Sequence, residues 1–318
     1  MNKPITIKNM FRTGRISIPK WILFSLLTIL LYGLMGVVAK FANNTIEPLL
    51  VQVISSFGMI PLLIMLFFSG KIKIEEQGKI SQGIFFSILV GILASVAAIA
   101  QFFAFSLGGP ASIVVPVVSL ASLVTVIFAR FVFKDKLNRY QLIGVALSIV
   151  AILMFNESGG DLQKVSGPWW KTIMSSWMLF SLVGLFSSGM ANIFIKSATN
   201  HVSPDLVTII VLGTILILTV VLIFRQSFSW HMSYKDLIAC LVVGILGSTA
   251  FLTQTIAFSS GIVSLVTPLS SLFPVVTVLL SVLFLGEKLS VTIIIAVVIS
   301  TIAGIAISIE KKSVSEPT

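Results

Sequence analysis

The chain has 318 residues, of which 57% are hydrophobic and only 10% charged, with a mean hydropathy of +1.10. A soluble globular protein is about 25% charged, so an ordinary soluble domain is excluded and a polytopic membrane protein is expected. The net charge of +10 does not mark a nucleic-acid binder, because the basic residues sit in short loops and the N-terminal tail rather than on one face.

Residues 1–20 read as a basic tail. The first apolar run, Trp21 to Ala39, is too long for a signal-peptide core and has no obvious small-residue cleavage site after it, so it is a retained span. A helix needs about 20 apolar residues to cross a hydrocarbon core of about 30 Å. Spans are predicted near 21–41, 48–69, 83–106, 110–133, 139–156, 173–196, 204–224, 236–258, 262–285 and 291–309. Residues 80–129 and 237–286 carry no Asp, Glu, Lys or Arg. Each tract would make one helix of about 75 Å, so each must fold as a hairpin. Ser106-Leu107-Gly108-Gly109-Pro110 and Ser259-Ser260-Gly261 supply the turns. Cys240 is the only cysteine, which excludes an intramolecular disulfide and a cysteine-based metal cluster.

Thirteen Lys and Arg fall on one side of this topology: Lys3, Lys8, Arg12, Arg15, Lys20, Lys71, Lys73, Lys79, Lys134, Lys136, Arg139, Lys311 and Lys312. Five fall on the other: Lys164, Lys171, Arg225, Lys235 and Lys288. The excess places both termini in the cytoplasm of a multi-pass cell-membrane protein.

The two halves align. Gly33–Ile54 matches Gly189–Ile210 at 8 of 22 positions, Gly91–Gly108 matches Gly244–Gly261 at 10 of 18, and Pro116–Leu137 matches Pro268–Leu289 at 8 of 22. Lys40 falls on Lys196, Gln101 on Gln254 and Pro116 on Pro268. Five spans per half reverse the second half relative to the first. The expected fold is therefore an all-α integral membrane protein, with ten transmembrane helices in two inverted five-helix repeats. The repeats are 21–156 and 173–309, joined by an extracytoplasmic linker, 157–172, with a cytoplasmic tail at 310–318. Inverted repeats are a signature of transporters, whose halves exchange roles as the gate on either side.

Residues 257–290, AFSSGIVSLVTPLSSLFPVVTVLLSVLFLGEKLS, resemble a family pattern of A-x-x-x-G, S-x-V-x-P-L, L-x-P-V and L-G-E. Residues 104–137 repeat it loosely, with Ser122 for the second proline and Lys134-Asp135 for Gly286-Glu287. The pattern is similar to that of the drug/metabolite transporter superfamily, of the ten-helix type with two EamA domains. The resemblance covers about 21–310. It implies transport of small metabolites through a central cavity lined by helices 1–4 and 6–9, the fifth and tenth helices being peripheral.

Each candidate substrate-binding residue has a structural alternative. Lys40 and Lys196 could bind an anionic group, or snorkel near helix C-terminal carbonyls. Gln101 and Gln254 could orient substrate, or join helices. Pro116 and Pro268 could keep carbonyls free beside a cavity, with Ser119 and Ser271 satisfying them. Asn192, opposite Gly36, breaks the symmetry. Tyr32 and Trp177 suit packing better than stacking on substrate, and Gly33, Gly36, Gly184 and Gly189 suit close helix contact. Pro116 and Pro268 are expected to kink both helices alike, and the unmatched Pro274 to give the ninth helix a distortion that the fourth lacks.

No Asp or Glu lies in the interior of a span, Glu47, Asp205 and Asp236 standing at helix starts, and His201 and His231 lie in loops, so proton coupling has no obvious carrier. No Walker loop, HExxH or G-x-S-x-G occurs, so an enzyme or ATP-driven pump is unsupported and no cofactor or metal is expected. The expected activity is secondary transport, by alternating access, of a small neutral, zwitterionic or anionic metabolite. The alternatives are a multidrug or cation exporter of the same superfamily, and a non-transporting membrane enzyme or scaffold. Expected partners are a small-molecule substrate and the lipid bilayer, without nucleic acid; a homodimer is compatible with the sequence.

Overall fold

The computed structural model describes residues 19–43, 46–69, 80–132, 138–158, 176–199, 201–228, 230, 232–260, 266, 269–270 and 272–308. These residues form twelve helical segments and no strand. They are α1 (Lys20–Ala42), α2 (Pro48–Gly58), α3 (Ile60–Phe68), α4 (Ile80–Ser106), α5 (Ala111–Ser119), α6 (Ala121–Val132) and α7 (Arg139–Ser158). After them come α8 (Ser176–Thr199), α9 (Pro204–Arg225), α10 (Tyr234–Ser260), α11 (Phe273–Leu285) and α12 (Val291–Ser308). By length and composition, α1, α2 with α3, α4, α8, α9 and α10 can each cross a membrane.

Three expected spans are interrupted. The second breaks at Met59, whose amide bonds the Ser56 carbonyl, and Pro61 opens α3 where its missing N–H costs nothing. The fourth span breaks too, close behind the kink expected at Pro116. Pro116 lies inside α5, and at Leu120 the amide turns to the Val117 carbonyl at 3.1 Å. That shift leaves the Pro116 carbonyl over, and the Ser119 hydroxyl donates to it at 2.7 Å. The ninth span has the same tight turn at the aligned residue, where the Leu272 amide bonds the Leu269 carbonyl at 3.2 Å. Pro274 therefore does not create an unshared break. It sits in the first turn of α11, a position that tolerates proline. A second correction concerns the turn assigned to 259–261: Ser259 and Ser260 are still helical, and Gly261 lies outside the described residues. In the first hairpin the turn falls as expected, with Gly108 at φ +91°.

The helices pack in two sets that also meet one another, α5 along α11, α9 along α10 and α2 along α4. α1 lies along α10 and α11, and α2 along α10; α8 lies along α4, α5 and α6, and α9 along α4. α7 packs on α12. The closest approaches occur at glycines. Gly33 of α1 abuts Val276 and the Phe273 carbonyl, and its aligned residue Gly189 of α8 abuts Val124 and the Ala121 carbonyl. Gly91 abuts Thr214 and the Val211 carbonyl, and its counterpart Gly244 abuts the Ser55 carbonyl. Positions matched between the halves thus meet matched positions. Gly83, near the start of α4, abuts His201 and Val202, just after the end of α8. The end of α4 meets the end of α1 through Phe105 and Lys40. α1 and α8 therefore end at opposite ends of α4.

A methyl group at Gly244 would collide with the Ser55 carbonyl, a backbone atom that cannot step aside, whereas one at Gly213 meets nothing within 4 Å. Gly244→Ala is expected to cost about 1–3 kcal/mol through overpacking, with Gly213→Ala near neutral. Thermal unfolding of the purified protein in detergent checks the difference.

Candidate functional site

At the ends of α1 and α4, charged groups meet in a largely apolar setting. The Lys40 ammonium donates to the Phe105 carbonyl at 2.9 Å and lies 5.9 Å from the centre of the Phe105 ring. Glu287 follows α11 in the chain, across Gly286, which takes a left-handed φ of +67°. The turn returns the carboxylate to the N-terminus of α5. There it accepts from the Ala111 amide at 2.7 Å and the Ser112 amide at 2.9 Å. Those amides belong to the first turn of a helix, where unpaired donors and the dipole favour an anion. Lys40 is within electrostatic reach of the same carboxylate. Ala39, Ala42, Phe105 and Ala111 pack around this end with Cys240, all of them buried.

Deeper along α1, Tyr32 donates its hydroxyl to the Gln254 side-chain oxygen at 3.3 Å and sets its ring 5.5 Å from that of Phe273. Thr277 donates to the Gly33 carbonyl at 3.1 Å, and its counterpart Thr125 to the Gly189 carbonyl at 2.9 Å. The Ser122 and Ser270 hydroxyls, near the two breaks, are buried and have no partner among the described residues.

The candidate residues separate accordingly. Lys40 is tied to the α4 backbone, and Gln254 to Tyr32. Gln101 is half-buried on α4, and Asn192 on α8 is exposed. Pro116 is buried inside α5, with Ser119 satisfying its carbonyl. Pro268, Ser271 and the Lys196 side chain lie outside the described residues. Gly33, Gly36 and Gly189 are closely packed, Gly184 more loosely, and Trp177 packs against the buried clusters. No group of three or more His, Cys, Asp or Glu is placed to hold a metal ion among the described residues.

The EamA family, described as the EamA-like transporter family, matches residues 19–156 and 175–309. The chain belongs to this family. Two curated relatives each bear the name "Probable amino-acid metabolite efflux pump". The Salmonella typhimurium protein is 28% identical over 283 residues, 84% of this chain and 87% of its own. The Escherichia coli protein is 26% identical over 280 residues, again 84% and 87%. A solved crystal structure shares the fold with a TM-score of 0.62 at 18% identity, over 90% of this chain and 95% of its own. The protein is thus a multi-pass membrane transporter rather than an enzyme, and a transporter of this kind acts on a small molecule from within lipid.

In this EamA-like transporter, sequence reasoning passed over Glu287 and the threonines Thr125 and Thr277. Glu287 stands in the L-G-E stretch quoted above, immediately after a glycine that turns the chain. The threonines occupy aligned positions seven residues before Val132 and eight before Leu285, one α-helical turn from the glycine contacts. Matched hydroxyls in otherwise apolar spans are the signal that could have found them.

Removing either threonine bond leaves a carbonyl with one acceptor site unfilled. Thr277→Val and Thr125→Val are each expected to lower stability by about 0.6 kcal/mol, the average for interhelical hydrogen bonds in lipid. Equilibrium unfolding in mixed micelles checks this, and equal effects from the two variants are expected.

Proposed function

We propose that this EamA-like transporter is a secondary carrier that exports a small amino acid or amino-acid derivative across the cell membrane by alternating access. Its ten spans form two inverted repeats, 21–156 and 173–309, with both termini cytoplasmic. In this arrangement α2 with α3, and α5 with α6, each count as one interrupted span, and α11 completes the ninth. The observation that carries the reading is the exchange of partners between halves. α1 rests on α10 and α11 as α8 rests on α4 and on α5 with α6, through matched glycines and matched threonine bonds. Two like groups facing each other can rock about a fixed site, as inverted repeats do.

Substrate passes between the groups, and Gln101 and Gln254 are the side chains assigned to orient it. An amide both donates and accepts, which suits the ammonium and carboxylate of a zwitterion. The names of the two bacterial relatives and the absence of any Asp or Glu from the interior of the spans support an amino acid over a cationic drug.

Counterflow in proteoliposomes tests this reading. Vesicles loaded with an unlabelled amino acid are expected to accumulate the same labelled amino acid, and that ligand is expected to raise the unfolding temperature of the purified protein. Gln101→Ala is expected to cut the counterflow rate about fivefold, the equivalent of one hydrogen bond of roughly 1 kcal/mol. A flat response to every amino acid, with accumulation of cationic dyes instead, would overturn the substrate class.

A further inference from the structure

We infer that Tyr32 is a positioning residue that locks the Gln254 amide with its NH2 group leading, so that Gln254 receives the carboxylate end of the substrate. The inference rests on the reading that Gln254 contacts an amino acid, and it says which end of that molecule the residue reads.

Four helices carry a polar residue on the side away from lipid. Leu23 on α1, Ile92 on α4, Val183 on α8 and Ile245 on α10 are exposed apolar residues on outer faces. Nine residues further along the same helices stand Tyr32, Gln101, Asn192 and Gln254. Nine residues make two and a half helical turns, so each polar residue lies opposite the exposed one. Yet none of the four is fully buried: Tyr32, Gln101 and Gln254 are half-buried and Asn192 is exposed. Their open surface therefore faces inward rather than to lipid. On the same side of α1, Ser25, Thr28, Gly36 and Ala39 are buried, so the opening is local to Tyr32.

The two glutamines occupy aligned positions, but their neighbours differ. The Tyr32 hydroxyl donates to the Gln254 Oε1 at 3.3 Å, and the tyrosine ring rests 5.5 Å from that of Phe273. One turn before Tyr32, the Thr28 and Thr253 hydroxyls share a hydrogen bond of 2.9 Å that joins the same two helices. Ring and hydroxyl are thus both held. With Oε1 engaged, the amide leads with an NH2 group, which donates twice and accepts nothing. A carboxylate is the end of an amino acid that matches it.

In the other half the residue aligned with Tyr32 is Ser188. Phe180 stacks on Phe103 at 5.0 Å and Phe194 on Phe86 at 5.8 Å, so α8 and α4 run antiparallel. Between those contacts Ser188 falls about two turns from Gln101, beyond the reach of a serine hydroxyl. Gln101 is not locked in this way. The difference between tyrosine and serine therefore breaks the equivalence of the two glutamines and gives the substrate one preferred direction.

Equilibrium binding to the purified full-length protein tests this, read from the ligand dependence of the unfolding temperature. The probes are the standard amino acids, their carboxamides and their N-acetyl derivatives. An amino acid is expected to bind the parent about tenfold better than its carboxamide, the difference of one hydrogen bond to a charged group. Tyr32→Phe keeps the ring against Phe273 and frees the amide, and it is expected to lower this acid-over-amide preference about fivefold. Gln254→Glu keeps the bond to Tyr32 and puts an acceptor where the NH2 stood, so the preference is expected to reverse. It stands as the second variant if Tyr32→Phe fails to fold. A tyrosine that only packs would weaken acid and amide alike, so an unchanged ratio in both variants overturns the inference. Absence of any carboxylate-dependent binding to the parent overturns it too. Binding needs no transport: an N-acetyl derivative that binds and weakens in Tyr32→Phe, where no free amino acid binds, supports the role of Tyr32 while sinking the amino-acid reading.

Discussion

Close approach of helix backbones at four glycines is the constraint on which the rest of this structure depends. Lipid tails are as apolar as leucine, so burying apolar side chains gives helices in a membrane little reason to associate. They associate where backbones come near enough for dispersion and hydrogen bonding. Gly33 on α11, Gly189 on α6, Gly91 on α9 and Gly244 on α2 provide those approaches. The threonine bonds follow from them. Thr277 reaches the Gly33 carbonyl, and Thr125 the Gly189 carbonyl, because no side chain stands between. At Gly33 and Gly189 the contact thus brings a hydroxyl within reach of a backbone acceptor on the neighbouring helix.

The interrupted spans answer a second demand of the bilayer, that every backbone polar group find a partner inside the protein. Pro116 cannot donate, and Leu120 turns its amide to a nearer carbonyl. The carbonyl left behind is taken by Ser119, one residue before the break. A serine placed there makes an interrupted span tolerable, and the repetition of the turn at Leu272 indicates a framework feature rather than an accident of one helix. The buried hydroxyls of Ser122 and Ser270 lie beside the same turns and have no partner among the described residues.

Much of this was legible in the sequence, for physical reasons that can be named. Two 50-residue tracts without charge cannot be single helices, and Gly108 marked the first turn where it occurs. Matched small residues at helical spacing foretold the packing seams. A kink at Pro116 relieved by Ser119 was legible, but its place at Leu120 was not, because Ser-Leu-Ala carries no turn signal. Nor was the role of Glu287. Its partners are backbone amides 176 and 175 residues away, and no side-chain pattern announces a helix N-terminus that another half of the protein will cap. Residue identity marks a surface that recurs; it does not mark a main-chain donor.

The duplicated scaffold is closely alike in its two halves, and among the described residues its two ends are joined by different contacts. Thr208 and Thr255, near the start of α9 and the end of α10, join the groups at the other end by a neutral contact of 3.4 Å. The Lys40 end is joined by a carboxylate on two amides and an ammonium on a carbonyl. The turn that delivers Glu287 needs the left-handed backbone of Gly286, and the aligned residue in the first half is Lys134, for which that conformation costs about 1–2 kcal/mol. Two states related by exact symmetry would be equally populated. Unequal contacts at the two ends remove the degeneracy, and a difference of about 1.4 kcal/mol already favours one state tenfold. In a protein built from like halves, the few residues at which the halves differ are what can set one end apart from the other.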